Sequence, residues 1–135
     1  MTIEVEQVNT LLDRLLDAGR RRDPEGVAAL CTDDVVFDDT GAAQALRGRD
    51  ELREMFTGIY AQTTSSFDLD IIERYVAIDG GTFGARWRAK GDLREDPATE
   101  VEVETAEFYR IREGLIAHWT LFVRDPDWLG RQWGI

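Results

Sequence analysis

Residues Val27–Tyr60, VAALCTDDVVFDDTGAAQALRGRDELREMFTGIY, decide the fold. The stretch reads as the end of a short helix, a strand at Val35-Val36-Phe37, a turn and an amphipathic helix from about Asp50 to Tyr60. Leu52, Met55, Phe56, Ile59 and Tyr60 fall on one face of that helix, at three- and four-residue spacing. Asp38 and Asp39 sit where the strand stops. Side chains alternate along a strand, so only one of the two faces the interior. The other belongs to the polar turn Asp38-Asp39-Thr40-Gly41, whose composition is also good turn chemistry by itself.

Toward the N-terminus, about Ile3 to Arg22 predicts a first helix, with Val8, Leu11, Leu12, Leu15, Leu16 and Gly19 forming one stripe. Asp23-Pro24-Glu25 supplies an N-cap, a proline at the first helical position and an acid in the first turn of a second helix through Leu30. Toward the C-terminus the period changes to two. Strands are expected from Ser66 to Ile78, Thr82–Lys90, Glu100–Ile111 and Leu115–Val123. Asp79-Gly80-Gly81 and Arg112-Glu113-Gly114 mark hairpins, and Gly91–Thr99 is a polar loop. The tail Asp125–Ile135 carries Trp128, Leu129 and Trp133 and is expected to pack on the body. Helices first and hairpin strands after imply a single α+β domain over residues 1–135, with helices covering one face of a curved antiparallel sheet. Such a roofed sheet encloses an apolar pocket for a small molecule.

The composition narrows the partners. Sixteen basic against 27 acidic residues give a net charge of −11, a field that repels nucleic-acid phosphates and anionic lipid. Arg20-Arg21-Arg22 is the one basic run, and it falls at a helix end, where cations offset the helix dipole. No apolar run reaches the roughly 20 residues of a membrane span. The start, MTIEVEQVNT, lacks the features of a secretory leader, so a cytoplasmic location is expected. Cys31 lies in an apolar context and reads as a buried structural thiol. One histidine and one cysteine are a poor inventory for zinc, and Glu100, Glu102 and Glu104 read as a solvated strand face, so no metal is expected.

The acidic pair after ALCTDD, the strand Val35–Asp39, the helix opening Gly48-Arg49-Asp50-Glu51-Leu52, the hairpin Phe108–Trp119 (FYRIREGLIAHW) and Asp125-Pro126 together resemble the NTF2-like superfamily, in its SnoaL-like, ketosteroid-isomerase-like branch. The resemblance covers nearly the whole chain and implies a cone of three helices on a strongly curved sheet. It places Asp39 where the isomerases keep their proton-shuttling aspartate. The positions of their oxyanion donors match Leu15 and Ala106, and a supporting tyrosine matches Phe56, so steroid isomerisation by that route is not expected. Limonene-epoxide-hydrolase-like enzymes are also similar, but their Arg-x-Asp strand pair is matched here by Arg88-Ala89-Lys90.

The resemblance also implies that Ile116, His118, Thr120 and Phe122 face the pocket. His118 then pairs with Asp39 as an acid–base dyad; otherwise it is a strand histidine satisfied by backbone or water. Phe37, Met55, Phe56, Tyr60, Phe83, Trp87 and Phe108 complete the expected substrate pocket. Trp119, Leu121 and Val123 then lie on the outer sheet face, as a homodimer interface. The function expected is cofactor-independent isomerisation, cyclisation or dehydration of an apolar polycyclic or terpenoid-like metabolite. Epoxide hydrolysis and non-catalytic ligand binding or dimerisation are the alternatives.

Overall fold

In the computed structural model, residues 4–63, 68–76, 82–92, 94–95 and 100–124 are described, with Val101 by its backbone alone. The expected Asp79-Gly80-Gly81 hairpin and the tail from Asp125 lie outside them. Three helices, α1 (Val5–Arg20), α2 (Pro24–Ala28) and α3 (Gly48–Gln62), accompany six strands. These are β1 (Cys31–Asp39), β2 (Leu46–Arg47), β3 (Asp68–Val76), β4 (Thr82–Asp92), β5 (Glu100–Arg112) and β6 (Leu115–Val123). They form one sheet in the order β2-β1-β6-β5-β4-β3. The pairing is antiparallel except between β1 and β6, which run parallel. The α+β, NTF2-like cone expected from the sequence is the observed architecture.

Side chains of the inner face fall into cross-strand rows. One row runs Phe37–Trp119–Tyr109–Phe83, and the next Asp39–Leu121–Glu107–Ala85. A third runs Val123–Thr105–Trp87–Ile71. The helices close over these rows, with Val8, Leu12 and Leu15 of α1 and Leu52 of α3 in one continuous core.

The arginine run is more than a helix end. α1 stops in a Schellman motif in which the Arg22 N–H donates to Gly19 O and the Asp23 N–H to Ala18 O. Arg22 takes the left-handed position, φ 54°, where glycine is usual. Its guanidinium reaches across to α3 and donates to Tyr60 O and Thr63 O, the latter at 2.6 Å. Arg94 adds bonds to Ala61 O and Thr63 O. Two cations thus cap the negative end of α3. At the other end Gly48, φ +87°, makes a turn that a side chain would strain. Arg49 then ties α3 to β1 through Cys31 O and Asp33.

β1 begins at Cys31, four residues before the expected start, and its Asp33 and Asp34 are strand residues that pair with Arg49 and Arg112. The Cys31 thiol is buried, and desolvation pushes its pKa up to about 12, as suits a structural thiol. No described helix is long and apolar enough to cross a membrane.

Leu52 is fully buried where α3 meets the core. Leu52→Ala is expected to cost about 2–5 kcal/mol in urea unfolding, the usual range for a leucine cavity in a packed interior.

Candidate functional site

Between α1, α3 and the inner sheet face lies a cavity of about 420 Å³, a size that suits a small organic ligand. Leu15, Phe37, Met55, Phe56, Ile59, Tyr60, Leu69, Trp87, Trp119, Leu121 and Val123 supply apolar and aromatic wall. Polar groups are fewer: Arg22, Asp39, Glu54, Gln62, Thr63, Thr105 and Glu107.

Glu107 is the group the sequence reading missed. Its side chain is 7% exposed, at the centre of a hydrogen-bond network drawn from three strands. The indole nitrogen of Trp87 donates to Tyr109 Oη at 2.8 Å. An indole N–H can only donate, so the tyrosine hydrogen turns away from it and goes to Glu107 Oε1, at 2.9 Å. Trp119 Nε1 donates to the same oxygen at 2.9 Å. Oε1 is therefore an acceptor twice over. Oε2 lies 2.5 Å from Thr105 Oγ1, leaving it as the oxygen that carries a proton when the acid is neutral.

Burial raises the Glu107 pKa and favours that neutral form. The hydrogen bonds from Thr105, Tyr109 and Trp119 pull the other way, and the charge of Asp39 adds to the rise. Burial likewise raises the Tyr60 and Tyr109 hydroxyls, so both remain phenols at neutral pH.

Asp39 stands on the same row as Glu107, with Leu121 between them. Two strand spacings separate their backbones by roughly 10 Å. Asp39 Oδ1 accepts the Gly41 N–H at 2.8 Å, which fixes the carboxylate at the strand end. Of the acidic pair, Asp39 lines the cavity, and Asp38 does not.

Phe37, Met55, Phe56, Tyr60 and Trp87 also line the cavity, together with Asp39. Three expected positions do not. His118 lies on the outer face, in a row with Val36 and Arg110. The cause is a β-bulge: Ile111 pairs with Ile116 and Arg110 with His118, so Ala117 is an extra residue in β6. Inward alternation from Ile116 is therefore reset, and Trp119, Leu121 and Val123 face the cavity. Those three are consequently not an outer interface, and no Asp39–His118 dyad forms.

Phe108 is 40% exposed on the outer face, where its ring covers Gly84 and meets Phe122 edge-on at 6.0 Å. A Cβ on Gly84 would come within 2.9 Å of that ring. Phe83 is buried but sits behind the wall, stacked on Tyr109 at 4.9 Å. Ala106, matched to an isomerase aspartate, pairs with Phe122 on the outer face, so the inward positions of β5 are Thr105 and Glu107. Arg88 and Lys90 also point away from the cavity, beside Asp68 and Asp70, while Ala89 lines it. One signal for Glu107 was present in the sequence. Glu100, Glu102 and Glu104 share the solvated parity of β5, whereas Glu107 shares the parity of Val103 and Tyr109.

A profile of the SnoaL-like domain matches residues 12–119. No curated protein matches the sequence at a significant level. Among solved structures, a candidate isomerase from Bacillus subtilis superposes with a TM-score of 0.81 at 17% identity, over 96% of this chain and 94% of its own. A candidate SnoaL-like polyketide cyclase from Jannaschia sp. gives 0.74 at 13%, over 88% and 86%. The epoxide hydrolase/cyclase-like enzyme SalBIII, of pyran ring formation in salinomycin, gives 0.75 at 16%, over 87% and 91%. At these identities the likeness is one of fold.

The raised Glu107 pKa sets a pH dependence. An acid whose folded pKa lies above its unfolded one stabilises the fold fully below the unfolded value, and that contribution is lost as pH rises through the folded value. Glu107→Gln keeps the acceptor at Oε1 and removes the titration. Its melting temperature, measured by calorimetry against the parent from pH 4 upward, is expected to gain on the parent as pH rises. A constant difference across that range would show that Glu107 ionises as readily folded as unfolded.

Proposed function

The chain belongs to the SnoaL-like domain family, and from that premise we propose that it is a cofactor-independent acid–base enzyme acting on an apolar small molecule. The observation that carries this reading is the carboxyl pair in the cavity wall, one open and one enclosed. Asp39 is the base: it takes a proton from a C–H or O–H of the bound molecule. Glu107 is the acid: its Oε2–H goes to the oxygen on which negative charge develops. In an isomerisation, Asp39 returns its proton to a different carbon and Glu107 recovers its own from the enol. In a cyclisation, the deprotonated hydroxyl attacks carbon and the oxygen that leaves takes the Glu107 proton. The two carboxyls are then restored by exchange with solvent. Each role is of a kind worth roughly 100- to 10,000-fold.

The pair supports this assignment through complementary environments, since enclosure favours the neutral acid at Glu107 while Asp39 stands at the strand end. Trp119 and Tyr109 hold the Glu107 carboxyl in place through Oε1, and Oε2 shares its hydrogen bond with Thr105 Oγ1, which also lines the cavity. The cyclase and epoxide hydrolase/cyclase-like proteins of similar fold are named for reactions of this type. Epoxide opening by water is a second reading, favoured by the gap across Leu121 between the two carboxyls. It needs the same pair in the same roles, with Asp39 activating water instead of a substrate group.

The aromatic pair Phe108 and Phe122 on the outer face is read as the centre of a homodimer contact, replacing the residues first expected there. Phe122→Asp is expected to leave a monomer by light scattering, and a parent that is itself monomeric would overturn this contact.

A panel of enolisable ketones, β-hydroxyketones and hydroxy-epoxides in D2O tests the chemistry, with deuterium uptake or ring closure read by mass spectrometry and NMR. Asp39→Asn and Glu107→Gln are each expected to slow turnover at least 100-fold, while His118→Ala leaves it unchanged. Turnover indifferent to both carboxyl variants would refute the assignment.

A further inference from the structure

We infer that the cavity selects a cation, an apolar molecule bearing one tertiary or quaternary ammonium nitrogen, held against Phe56, Tyr60 and Trp119 within the field of Asp39. This names the substrate class of the site proposed above and rests on that reading for which cavity matters.

The first support is the wall itself. The Phe56 ring lies 5.7 Å from Tyr60 at 30° and 5.7 Å from Trp119 at 32°, so three rings adjoin in the cavity wall. Phe37 closes it edge-on, 5.0 Å from Trp119. Aromatic faces carry the negative part of the ring quadrupole, and several together are the usual receptor for a substituted ammonium.

The second support is unbalanced charge. Asp39 and Glu54 both line the cavity, and among the described residues no lysine or arginine pairs with either of them, while Glu107 is the neutral acid. This contrasts with the surface, where Asp13, Asp33, Asp34 and Glu73 each hold an arginine. The cation in the lining, Arg22, gives Nη2 to the carbonyls that end α3 while its Nε has no partner among the described residues, so the lining holds two carboxylates against one guanidinium.

These two features sort the ligand classes. An anion would meet Asp39 and Glu54, two carboxylates against the single guanidinium of Arg22. A neutral hydrocarbon would strip water from Asp39 and give nothing back, which costs free energy. A bare metal ion needs converging ligands, and among the described residues no three of His, Cys, Asp or Glu converge. An alkylated ammonium spreads its charge over an apolar surface, so it satisfies the carboxylate and the rings together. The net charge of −11 further concentrates cations near the mouth.

The test compares benzyltrimethylammonium with its neutral isostere neopentylbenzene and with phenylacetate. Each is titrated into the full chain, and binding is followed by calorimetry and by the fluorescence of the wall tryptophans. The ammonium is expected to bind at least tenfold more tightly than neopentylbenzene, with phenylacetate weakest. Asp39→Asn and Phe56→Leu should each shrink that preference toward unity. Equal or tighter binding of neopentylbenzene, binding of none of the three, or a preference untouched by both variants would each overturn the inference. Because nothing here depends on turnover, catalysis can fail alone: an ammonium preference beside turnover indifferent to Glu107→Gln would remove the acid–base reading and keep the cation site.

Discussion

A carboxyl group fully enclosed in a protein must be given partners, and Glu107 obtains them from three different strands. Trp87 on β4, Tyr109 and Thr105 on β5 and Trp119 on β6 all converge on it, directly or through the tyrosine hydroxyl. Because indole nitrogens cannot accept, the hydrogens in this network have one available direction. That fixed polarity makes the inner face specific. Trp87 and Trp119 are each oriented by the indole N–H, and their apolar bodies become part of the cavity wall. Leaving any one donor out would strand a buried oxygen or nitrogen, at a cost of about 1–3 kcal/mol.

The helical roof depends on a different economy of charge. α3 presents Met55, Phe56 and Tyr60 to the cavity, and its C-terminal carbonyls end at the cavity wall rather than in open water. Arg22 and Arg94 meet those carbonyls, and Arg22 accepts a left-handed backbone in order to do so. The same side chain that closes one helix thus caps another. Among the described residues, no ion pair then neutralises Asp39 or Glu54 in the cavity wall.

Much of this was legible in the sequence, and the failures share a cause. The helices followed from apolar spacing in Val8–Leu16 and Leu52–Tyr60, and the strands from period-two alternation and turn residues. Asp39, Phe37, Met55, Phe56, Tyr60 and Trp87 reach the cavity because α3, β4 and the half of β1 from Val36 onward keep a regular register. Sidedness was lost in β6, where one extra residue at Ala117 reverses the alternation, and with it went His118 and the dimer face. Phe108 was misplaced because a large aromatic was read as lining a pocket, whereas it shields the bare backbone of Gly84. Glu107 escaped notice because an acid in a strand with Glu102 and Glu104 looks like another solvated carboxylate. Its odd parity against that even series was the available clue, and its donors come from strands that sequence cannot bring into register.

The bulge at Ala117 has a consequence for how this fold can change. Everything after it in β6 is assigned to lumen or exterior by a single residue of phase. Keeping that residue but pairing it into the ladder opposite Arg110 would leave the composition of the strand intact while exchanging its two sides, so that an imidazole and a hydroxyl entered the lumen and an indole left it. Point substitution explores such an interior one side chain at a time. A register slip of one residue redraws it wholesale, so whether the bulge is kept or ironed flat decides which chemistry the same backbone path presents.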